Sequence, residues 1–247
     1  MRQFGLIGFP VIQSFSKQFF TEKFRCEAID AQYELYPVED ISEFPALVQA
    51  NQFDGLNVTI PHKQAVMQYL DELDETAAEI GAVNVIRFIR KNDTVKLKGF
   101  NTDAIGFENS ISPFLKDIHQ KALILGTGGA SKAIDYVLRK RGLQTTFVSR
   151  NSREGQLSYG ELTPEMMAEY LVIVNCTPLG MFPNVDDCPA IPYEAISNKH
   201  LLYDVIYKPE TTLFLQKGKE KGATIINGLE MLWGQALASW EIWNDTE

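Results

Sequence analysis

The sequence predicts an α/β protein made of two units, and three observations support this. Strand-like and helix-like patterns alternate from one end of the 247-residue chain to the other. An apolar run at 121–128 ends in glycines and leads into a helical pattern, which is typical of a buried parallel strand at the start of a second unit. Hydrophobic residues make up 45% and charged residues 22% of the chain, an ordinary composition for globular units that each bury a core.

The first unit is expected to occupy residues 1–102. Residues 42–51 have helical spacing, with a serine cap at the start and an acid in the first turn. Two strand-like segments joined by Asn92-Asp93 predict a β-hairpin. The predicted strands are 4–8, 32–38, 55–60, 82–91 and 94–100, and the predicted helices are 16–29, 42–51, 62–70 and a segment around 74–80.

The second unit is expected to occupy residues 120–227, after a helix at 102–115 that leads out of the first unit. The last helical pattern, 228–243, is apolar on more than one side, so we expect the C-terminal segment 228–247 to pack back toward the first unit. The predicted strands are 121–128, 145–150, 171–177, 201–207 and 223–227, and the predicted helices are 130–142, which Gly142 ends, and 211–222.

Charge and cysteine usage exclude several classes of protein. The formal net charge is −9 and the basic residues are scattered, whereas a nucleic-acid-binding protein usually has a basic stripe. The three cysteines are an odd number without a C-x-x-C pair, which argues against a disulfide framework and a zinc site. They are Cys26, Cys176 and Cys188. We therefore expect no nucleic-acid partner and no metal.

The N-terminal apolar stretch, from Phe4 to Ile12, is interrupted by Gly5, Gly8 and Pro10, and no small-residue cleavage site follows it. This pattern is typical of a strand and turn rather than a signal peptide. No apolar run approaches the ~20 residues that a membrane helix needs. We expect a cytoplasmic protein, either a monomer or a homodimer, that acts on a small molecule.

The segment LILGTGGASKA, residues 123–133, places Gly126, Gly128 and Gly129 between an apolar strand and a helix. That context is the one a dinucleotide fingerprint requires. The first glycine allows a tight turn, the second lets the backbone approach a pyrophosphate, and Ser131 stands where a third small residue is usual. The N–H groups at the start of the helix attract phosphate. A plain glycine turn is the alternative interpretation.

The end of the following strand distinguishes the two nicotinamide dinucleotides, because an acid there binds a ribose hydroxyl and an arginine accommodates a 2′-phosphate. Here the strand leads into Arg150 and Arg153, and the first acid is Glu154. Two guanidinium groups suit a phosphate monoester. The pattern favours NADP over NAD, with a solvated basic turn as the alternative.

Polar residues in the first unit occur where core packing does not explain them. Each has a simple structural interpretation by itself, as a cap, a turn or a solvated lysine. Together they lie at loops and strand ends, which is where α/β proteins bind ligands. They are Ser14, Ser16, Asn57, Thr59, Lys63, Asn84 and Asp103.

With these segments in place, the chain resembles the shikimate dehydrogenase family. The matching segments run in order over nearly the whole chain: SFS (14–16), NVTIPHK (57–63), GAVN (81–84), FNTDAIG (100–106), LGTGGASKA (125–133), NCTPLGM (175–181), YDVIYKP (203–209) and NGLEMLWGQA (227–236). The resemblance implies an N-terminal α/β substrate domain and a C-terminal Rossmann-like NADP-binding domain, joined by two helices with a cleft between. It also implies NADPH-dependent reduction of 3-dehydroshikimate to shikimate, in aromatic amino-acid biosynthesis.

The resemblance assigns roles position by position. Lys63 and Asp103 correspond to the catalytic pair. The substrate-binding positions are Ser14 and Ser16 for the carboxylate with Tyr207 nearby, and Thr59, Asn84 and Gln235 for the ring hydroxyls. The cofactor positions are Gly126, Thr127, Gly128, Gly129, Ala130, Ser149 and Arg150, with Thr177, Met181 and Gly228 around the nicotinamide.

The proposed pair suits the reaction, because hydride reduction of a ketone produces an alkoxide that needs a proton. A lysine can deliver that proton and stabilise the developing charge, and a neighbouring aspartate can hold the lysine in place.

The chain departs from the family pattern at four points. Lys17 stands where proline is usual, and Arg153 comes one position earlier than the second arginine of the family pattern. The stretch 150–171 is short, which predicts that a helix and a strand are trimmed, and the sequence stops soon after Trp243, where many relatives continue into another helix. Two alternatives remain open: a relative that acts on quinate, with relaxed or NAD cofactor use, and a non-catalytic dinucleotide-binding regulator on the same fold.

Overall fold

The computed structural model describes residues 1–11, 14–92 and 94–245, and within them the chain forms two sheets. Ile12 and Asp93, which belong to the predicted N-terminal strand-turn and to the hairpin turn, lie outside the described residues. Two compact units result, Met1–Thr102 with Gln235–Glu247, and Asp103–Gly234. The chain passes from one unit to the other within two helices, α4 (Thr102–Ile111) and α8 (Leu229–Asn244).

The first unit contains a six-stranded sheet in the order β2-β1-β3-β5-β6-β4. β1 pairs in parallel with β2 and β3, β3 pairs antiparallel with β5, and β5 with β6 forms the expected hairpin. The strands are β1 Arg2–Gly8, β2 Ala31–Pro37, β3 Gly55–Val58, β4 Glu72–Leu73, β5 Val85–Lys91 and β6 Thr94–Phe100, and the helices are α1 Phe15–Cys26, α2 Phe44–Ala50 and α3 Glu75–Ile80.

Aromatic side chains fill the core on one face of this sheet. Phe20 stacks on Tyr33 with ring centroids 4.9 Å apart, and Trp243 of α8 lies 4.8 Å from the ring of Phe4. The indole N–H of Trp243 donates to the carbonyl of Ile86 at 3.1 Å, so the buried polar end of the ring is satisfied. α8 is thereby fastened to the first unit through its last turns.

Two expected helices of the first unit differ in the structure. The segment 62–70 forms only a turn and a 3₁₀ helix, Ala65–Tyr69. The His62 ring is held by the Val38 carbonyl at 2.6 Å, and the Lys63 carbonyl accepts from the Val83 N–H at 2.7 Å rather than from a helical donor. The segment 42–51 begins as a 3₁₀ helix, Ile41–Glu43, before α2. Its cap is Asp40, in a capping box with Glu43, rather than the expected serine.

The second unit contains a five-stranded parallel sheet in the order β11-β10-β9-β7-β8. This is a doubly wound arrangement, and the chain reverses direction across the sheet at β7. The strands are β7 Lys121–Leu125, β8 Gln144–Val148, β9 Val172–Asn175, β10 Leu201–Asp204 and β11 Thr224–Ile226, and the helices that begin in this unit, after α4 at its start, are α5 Gly129–Lys140, α6 Pro164–Glu169, α7 Leu213–Glu220 and α8.

The short segment between β8 and β9 adds no further strand to the sheet edge. Beside β8 there is a single parallel bridge from Val148 to Leu157, and the Leu157 N–H donates to the Phe147 carbonyl at 2.9 Å. A 3₁₀ turn, Tyr159–Glu161, and the unexpected helix α6 then lead into β9. The prediction of an α/β fold with a Rossmann-like second sheet is confirmed.

None of the helices in the described part of the chain has the length and apolar character that a membrane crossing needs. Nor do the described residues contain a group of three metal-ligating side chains.

Candidate active site

The glycine loop, Gly126–Ala130, follows β7 at the point where the strand order reverses. Gly126 adopts φ +99°, a conformation that favours glycine, and a Cβ there would lie 3.1 Å from the γ-methyl of Thr177. Gly128 has φ −76°, and a Cβ on it would meet no atom within 4 Å. Gly126 therefore shapes the turn, while Gly128 faces open space into which a ligand can approach.

The N-terminus of α5 carries no side-chain cap, although Gly128 is its N-cap residue. Ser131 is fully buried, and its hydroxyl donates back to the Gly128 carbonyl at 2.6 Å. That bond satisfies the serine inside the loop. The Ser131 N–H donates to the same carbonyl at 3.1 Å, so the N–H groups of Gly129 and Ala130 are the ones that can face a ligand. A 12-residue helix with such a terminus is suited to phosphate.

Arg150 and Ser149 follow β8, the strand next to the glycine loop. Arg150 is exposed, and it lies near Tyr159, whose pKa is raised by burial and partly lowered again by that guanidinium. Arg153, also exposed, forms a tight turn in which the Gln156 N–H donates to its carbonyl at 2.9 Å. Within the described residues neither guanidinium takes part in an ion pair, so both charges are available to an anion.

Thr177 and Met181 lie on the loop after β9, the strand on the other side of β7. The Thr177 hydroxyl donates to Asn175 Oδ1 at 2.7 Å, and its backbone N–H donates to the same atom at 3.0 Å. Met181 closes a turn through its N–H to the Pro178 carbonyl at 3.1 Å, and its side chain is half exposed. The Thr177 side chain thus borders the glycine loop.

Gly228 and Tyr207 lie near each other on the loops after β11 and β10. A Cβ on Gly228 would overlap the carbonyl of Val205, so this close backbone approach requires glycine. The Gly228 N–H donates to the Ile206 carbonyl at 3.1 Å. Tyr207 follows directly and is 40% exposed, which leaves its ring accessible from solvent.

Ser14 and Ser16 stand at the N-terminus of α1, in the first unit. Ser14 is the N-cap, and its Oγ accepts from the Ser16 N–H at 3.1 Å. The Ser16 side chain hydrogen-bonds to Tyr33, whose pKa is raised by burial well above its usual range. No acid occupies the first turn of α1, so the positive end of the helix is not neutralised from within.

The capping interaction of Ser14 is compatible with ligand binding. As a cap the hydroxyl accepts a hydrogen bond, and its own proton stays available to donate. Both interpretations of this serine, as a helix cap and as a ligand for a carboxylate, can therefore hold at once.

Asn84 is buried and follows α3 at the start of β5. Its Oδ1 accepts from the Thr102 N–H at 2.7 Å, and its Nδ2 donates to Thr102 Oγ1 at 3.0 Å. The backbone carbonyl of Asn84 accepts from Asn57 Nδ2 at 3.3 Å, and Asn57 Nδ2 also donates to Ser239 Oγ at 3.1 Å. The amide of Asn84 is therefore held in one orientation by the first residue of α4.

Lys63 and Asp103 are each tied to the Val83–Asn84 segment. Lys63 is bonded to it directly, and Asp103 follows Thr102, which is bonded to Asn84. Lys63 is half-buried in the turn after β3, and its carbonyl accepts from the Val83 N–H at 2.7 Å. Asp103 is buried and is the second residue of α4, directly after Thr102. An acid in the first turn is favoured by the helix dipole. The Val83–Asn84 segment is thus tied to Lys63 and to the start of α4.

Thr59 and Gln235 complete the predicted positions. Thr59 is half-buried, its N–H donates to the Ile7 carbonyl at 2.9 Å, and its methyl occupies the space that a side chain on Gly8 would need. Gln235 is buried in α8, and its backbone carbonyl accepts from Ser239 Oγ at 2.7 Å.

Four buried polar residues with a part in these networks were not singled out from the sequence: Tyr33, Asn175, Asp204 and Ser239. Tyr33 donates to Asn57 Oδ1 at 2.7 Å. Its place in the alternating pattern of the strand indicated only a buried side chain. Asn175 and Asp204 are the last residues of adjacent strands, and a polar residue that ends an apolar strand was the one available signal. Ser239 gave none, since a serine in a helix is usually exposed.

Comparison with known proteins gives a consistent result. The model of the shikimate dehydrogenase substrate binding domain matches residues 6–86. The "Shikimate dehydrogenase (NADP(+))" of Clostridium beijerinckii is 36% identical over 259 residues, which cover 100% of this chain and 93% of the relative.

Two crystal structures are similar in fold over nearly the whole chain. That of shikimate dehydrogenase from Aquifex aeolicus has a TM-score of 0.86 at 33% identity and covers 99% of this chain and 92% of its own. That of the Thermus thermophilus enzyme, in complex with NADP(H) and shikimate, has a TM-score of 0.85 at 28% identity, with coverage of 99% and 93%. On the full-length identity to such relatives, this chain belongs to the shikimate dehydrogenase family.

Proposed function

We propose that the protein catalyses the reversible NADPH-dependent reduction of 3-dehydroshikimate to shikimate, a step of aromatic amino-acid biosynthesis. The observation that carries this is the 34–37% identity, over 96–100% of the chain, to relatives named shikimate dehydrogenase (NADP(+)). We assign residues 1–102 as the substrate domain, with 228–247 packing back toward it, and 120–227 as the NADP-binding domain.

The glycine loop suits the pyrophosphate of NADP(H). Gly128 leaves room for close backbone approach, and the uncapped end of α5 offers N–H groups and partial positive charge. We assign Gly126, Thr127, Gly128, Gly129 and Ala130 to this contact. When bound, the dinucleotide supplies the hydride.

Ser149 and Arg150 suit the adenosine 2′-phosphate. Arg150 carries an exposed guanidinium at the end of β8, and Arg153 adds a second positive charge nearby in sequence. A guanidinium binds a phosphate with two parallel hydrogen bonds, which is the basis of the expected preference for NADP. We assign Thr177, Met181 and Gly228 to the nicotinamide.

Ser14 and Ser16 suit the carboxylate of the substrate. They stand at the positive end of α1, where no acid competes, and the Ser14 proton is available. We assign Tyr207 to the same carboxylate, and Thr59, Asn84 and Gln235 to the ring hydroxyls. The fixed amide of Asn84 is pre-organised for such a contact.

Lys63 is the group that we assign to proton transfer. Its ammonium gives a proton to the alkoxide that forms as the ketone is reduced, and accepts one in the reverse direction. Asp103 holds the lysine in place. We place this protein in the cytoplasm, as a monomer or a homodimer without nucleic-acid, membrane or metal partners, which fits its three free thiols.

A turnover assay tests the proposal. Shikimate with NADP should give NADPH absorbance, and quinate or NAD should give a much lower kcat/KM. Efficient oxidation of quinate with NAD would replace the proposal with the quinate alternative. NADPH binding without any turnover would instead indicate a dinucleotide-binding regulator.

A further inference from the structure

Asp204 is a fully buried acid, with 0% exposure, that the proposed mechanism does not use. It is the last residue of β10, and its carboxyl group accepts three hydrogen bonds. Asn175 Nδ2 and the Ile206 N–H donate to Oδ1 at 3.1 and 3.0 Å, and the Thr212 hydroxyl donates to Oδ2 at 2.6 Å. All three partners are neutral, so burying this acid costs free energy. The hydrogen bonds of Asp204 hold Asn175 in place.

The carboxyl group makes the shorter of two contacts that determine which way the amide of Asn175 points, since Asn175 Nδ2 also donates to the Leu179 carbonyl at 3.4 Å. The two residues are paired in register at the ends of β10 and β9. Oδ1 of Asp204 only accepts, so Asn175 must present Nδ2 to it and turn its own Oδ1 away. A neutral Asp204 keeps Asn175 in the same orientation, because Oδ1 faces two N–H donors and the proton is carried by Oδ2, which then donates to Thr212 Oγ1.

The orientation of Asn175 in turn fixes Thr177. Asn175 Oδ1 accepts both the backbone N–H and the hydroxyl of Thr177, at 3.0 and 2.7 Å. The Thr177 proton is thereby used, and Oγ1 keeps only acceptor capacity, of which the Leu179 N–H takes part at 3.3 Å. The γ-methyl of the same threonine packs beside the Gly126 turn.

We propose that Asp204 is a positioning residue of the cofactor site, which acts through Asn175 to fix the rotamer and the hydrogen-bond polarity of Thr177 beside the glycine loop. Thr177 then offers a lone pair, which suits an N–H donor such as the carboxamide of a nicotinamide. The inference rests on the proposed function, since the site that it serves is the one assigned to NADP(H).

The test is direct titration of NADPH fluorescence, without substrate, on the full chain. Loss of an outer partner that orients a binding group costs roughly tenfold to a hundredfold at metal sites. We expect Asp204→Ala to raise the Kd for NADPH by about tenfold or more. Asp204→Asn should bind almost as the wild type does, because its Oδ1 still accepts from Asn175 and its Nδ2 can face Thr212.

Thr212→Val is the matched control. It removes the third hydrogen bond of Asp204 and the cap of α7, where the Leu215 N–H donates to Thr212 Oγ1 at 3.4 Å, but leaves Asn175 in place. It should lower the melting temperature and leave the Kd for NADPH unchanged. A purely structural role for Asp204 predicts instead that Asp204→Ala and Thr212→Val weaken NADPH binding to the same degree.

Asn175→Ala provides a second route to the result if Asp204→Ala does not fold. It should weaken NADPH binding as Asp204→Ala does, and the double variant should be no worse than either single one, since both remove the same chain of contacts. Additive effects, or normal affinity in Asn175→Ala, would overturn the inference. Absence of shikimate oxidation by the wild type would overturn the proposed function instead, so the two failures can be distinguished.

Discussion

The side chain of Asn84 and the backbone of Thr102 are joined by a 2.7 Å hydrogen bond, in which Asn84 Oδ1 accepts the Thr102 N–H. Thr102 has 0% exposure, so the bond is shielded from bulk water. The bond fixes the start of α4, and with it the residue that follows, Asp103. A side chain assigned to substrate binding therefore also holds the helix that carries an assigned catalytic residue.

Asn84→Ala should lower stability and weaken substrate binding together. The buried Thr102 N–H loses its acceptor, which costs about 1–3 kcal/mol. The KM for shikimate should rise in the same variant. Thr102→Val is the control, since it keeps the N–H bond and removes only Oγ1, so it should affect stability less. A lowered melting temperature with an unchanged KM would leave Asn84 with a structural role alone.

Lys63→Ala should lower kcat by ~10²–10⁴-fold with a much smaller change in KM, because it removes the proton donor for the alkoxide. Lys96→Ala is a matched control, since Lys96 is an exposed lysine that pairs with Glu72 at 2.9 Å. It should have wild-type kinetics. The measurement is steady-state NADPH absorbance, and near-wild-type turnover in Lys63→Ala would remove the residue from its assigned role.

Arg150→Ala should reduce the preference for NADP over NAD. A charge-assisted contact to the 2′-phosphate contributes ~1.5–3 kcal/mol, which is roughly a tenfold to a hundredfold change in the ratio of the two kcat/KM values. The loss should fall on NADP and leave kcat/KM for NAD unaffected. Arg153→Ala, measured in parallel, shows whether the second guanidinium contributes. An unchanged ratio in Arg150→Ala would contradict the assignment.

Gly128→Ala should weaken NADPH binding without destabilising the fold. The added Cβ meets no protein atom within 4 Å and φ is −76°, so only a bound ligand competes for that space. Gly142→Ala gives the opposite result, because φ there is +87° and the residue ends α5 far from the glycine loop in sequence. The strain should lower the free energy of unfolding by about 1 kcal/mol, and with it the melting temperature. The Kd for NADPH should stay unchanged. Normal affinity in Gly128→Ala would argue for a plain glycine turn.

The stability of the protein should depend on pH through Asp204. Burial raises the pKa of this carboxyl group from its usual value of 3.8 to about 6. The neutral acid is therefore favoured in the folded state. Its contribution to the free energy of unfolding is complete below pH ~4 and is lost as the pH rises through about 6. The loss amounts to at most about 3 kcal/mol.

Chemical denaturation of the wild type and of Asp204→Asn measures this contribution, because the difference between them cancels the titration of other groups. Relative to Asp204→Asn, the wild type should become less stable between pH 4 and pH 6. A difference that is constant over that range would show that Asp204 does not titrate there.

The sequence by itself determined the alternation of strands and helices, the glycine loop between β7 and α5, and the family to which the chain belongs. These features are local: a periodicity, a turn that needs glycine, or a short run of characteristic residues. The family resemblance is confirmed by relatives that match over nearly the whole length. The assigned site residues remain predictions for the experiments above.

Only the tertiary structure decided which polar groups meet. Asn57 and Ser239 are 182 residues apart in sequence, and Asn175 and Asp204 are 29 apart, yet sheet order and the return of α8 bring each pair within hydrogen-bond distance. Tertiary contacts also decide the conformation of Ala65–Tyr69. The spacing of its apolar residues predicts an α-helix, but the segment forms a 3₁₀ helix beside His62, whose ring contacts the Val38 carbonyl. Periodicity specifies which face of an element is buried, but a hydrogen-bond partner depends on which distant element packs against that face.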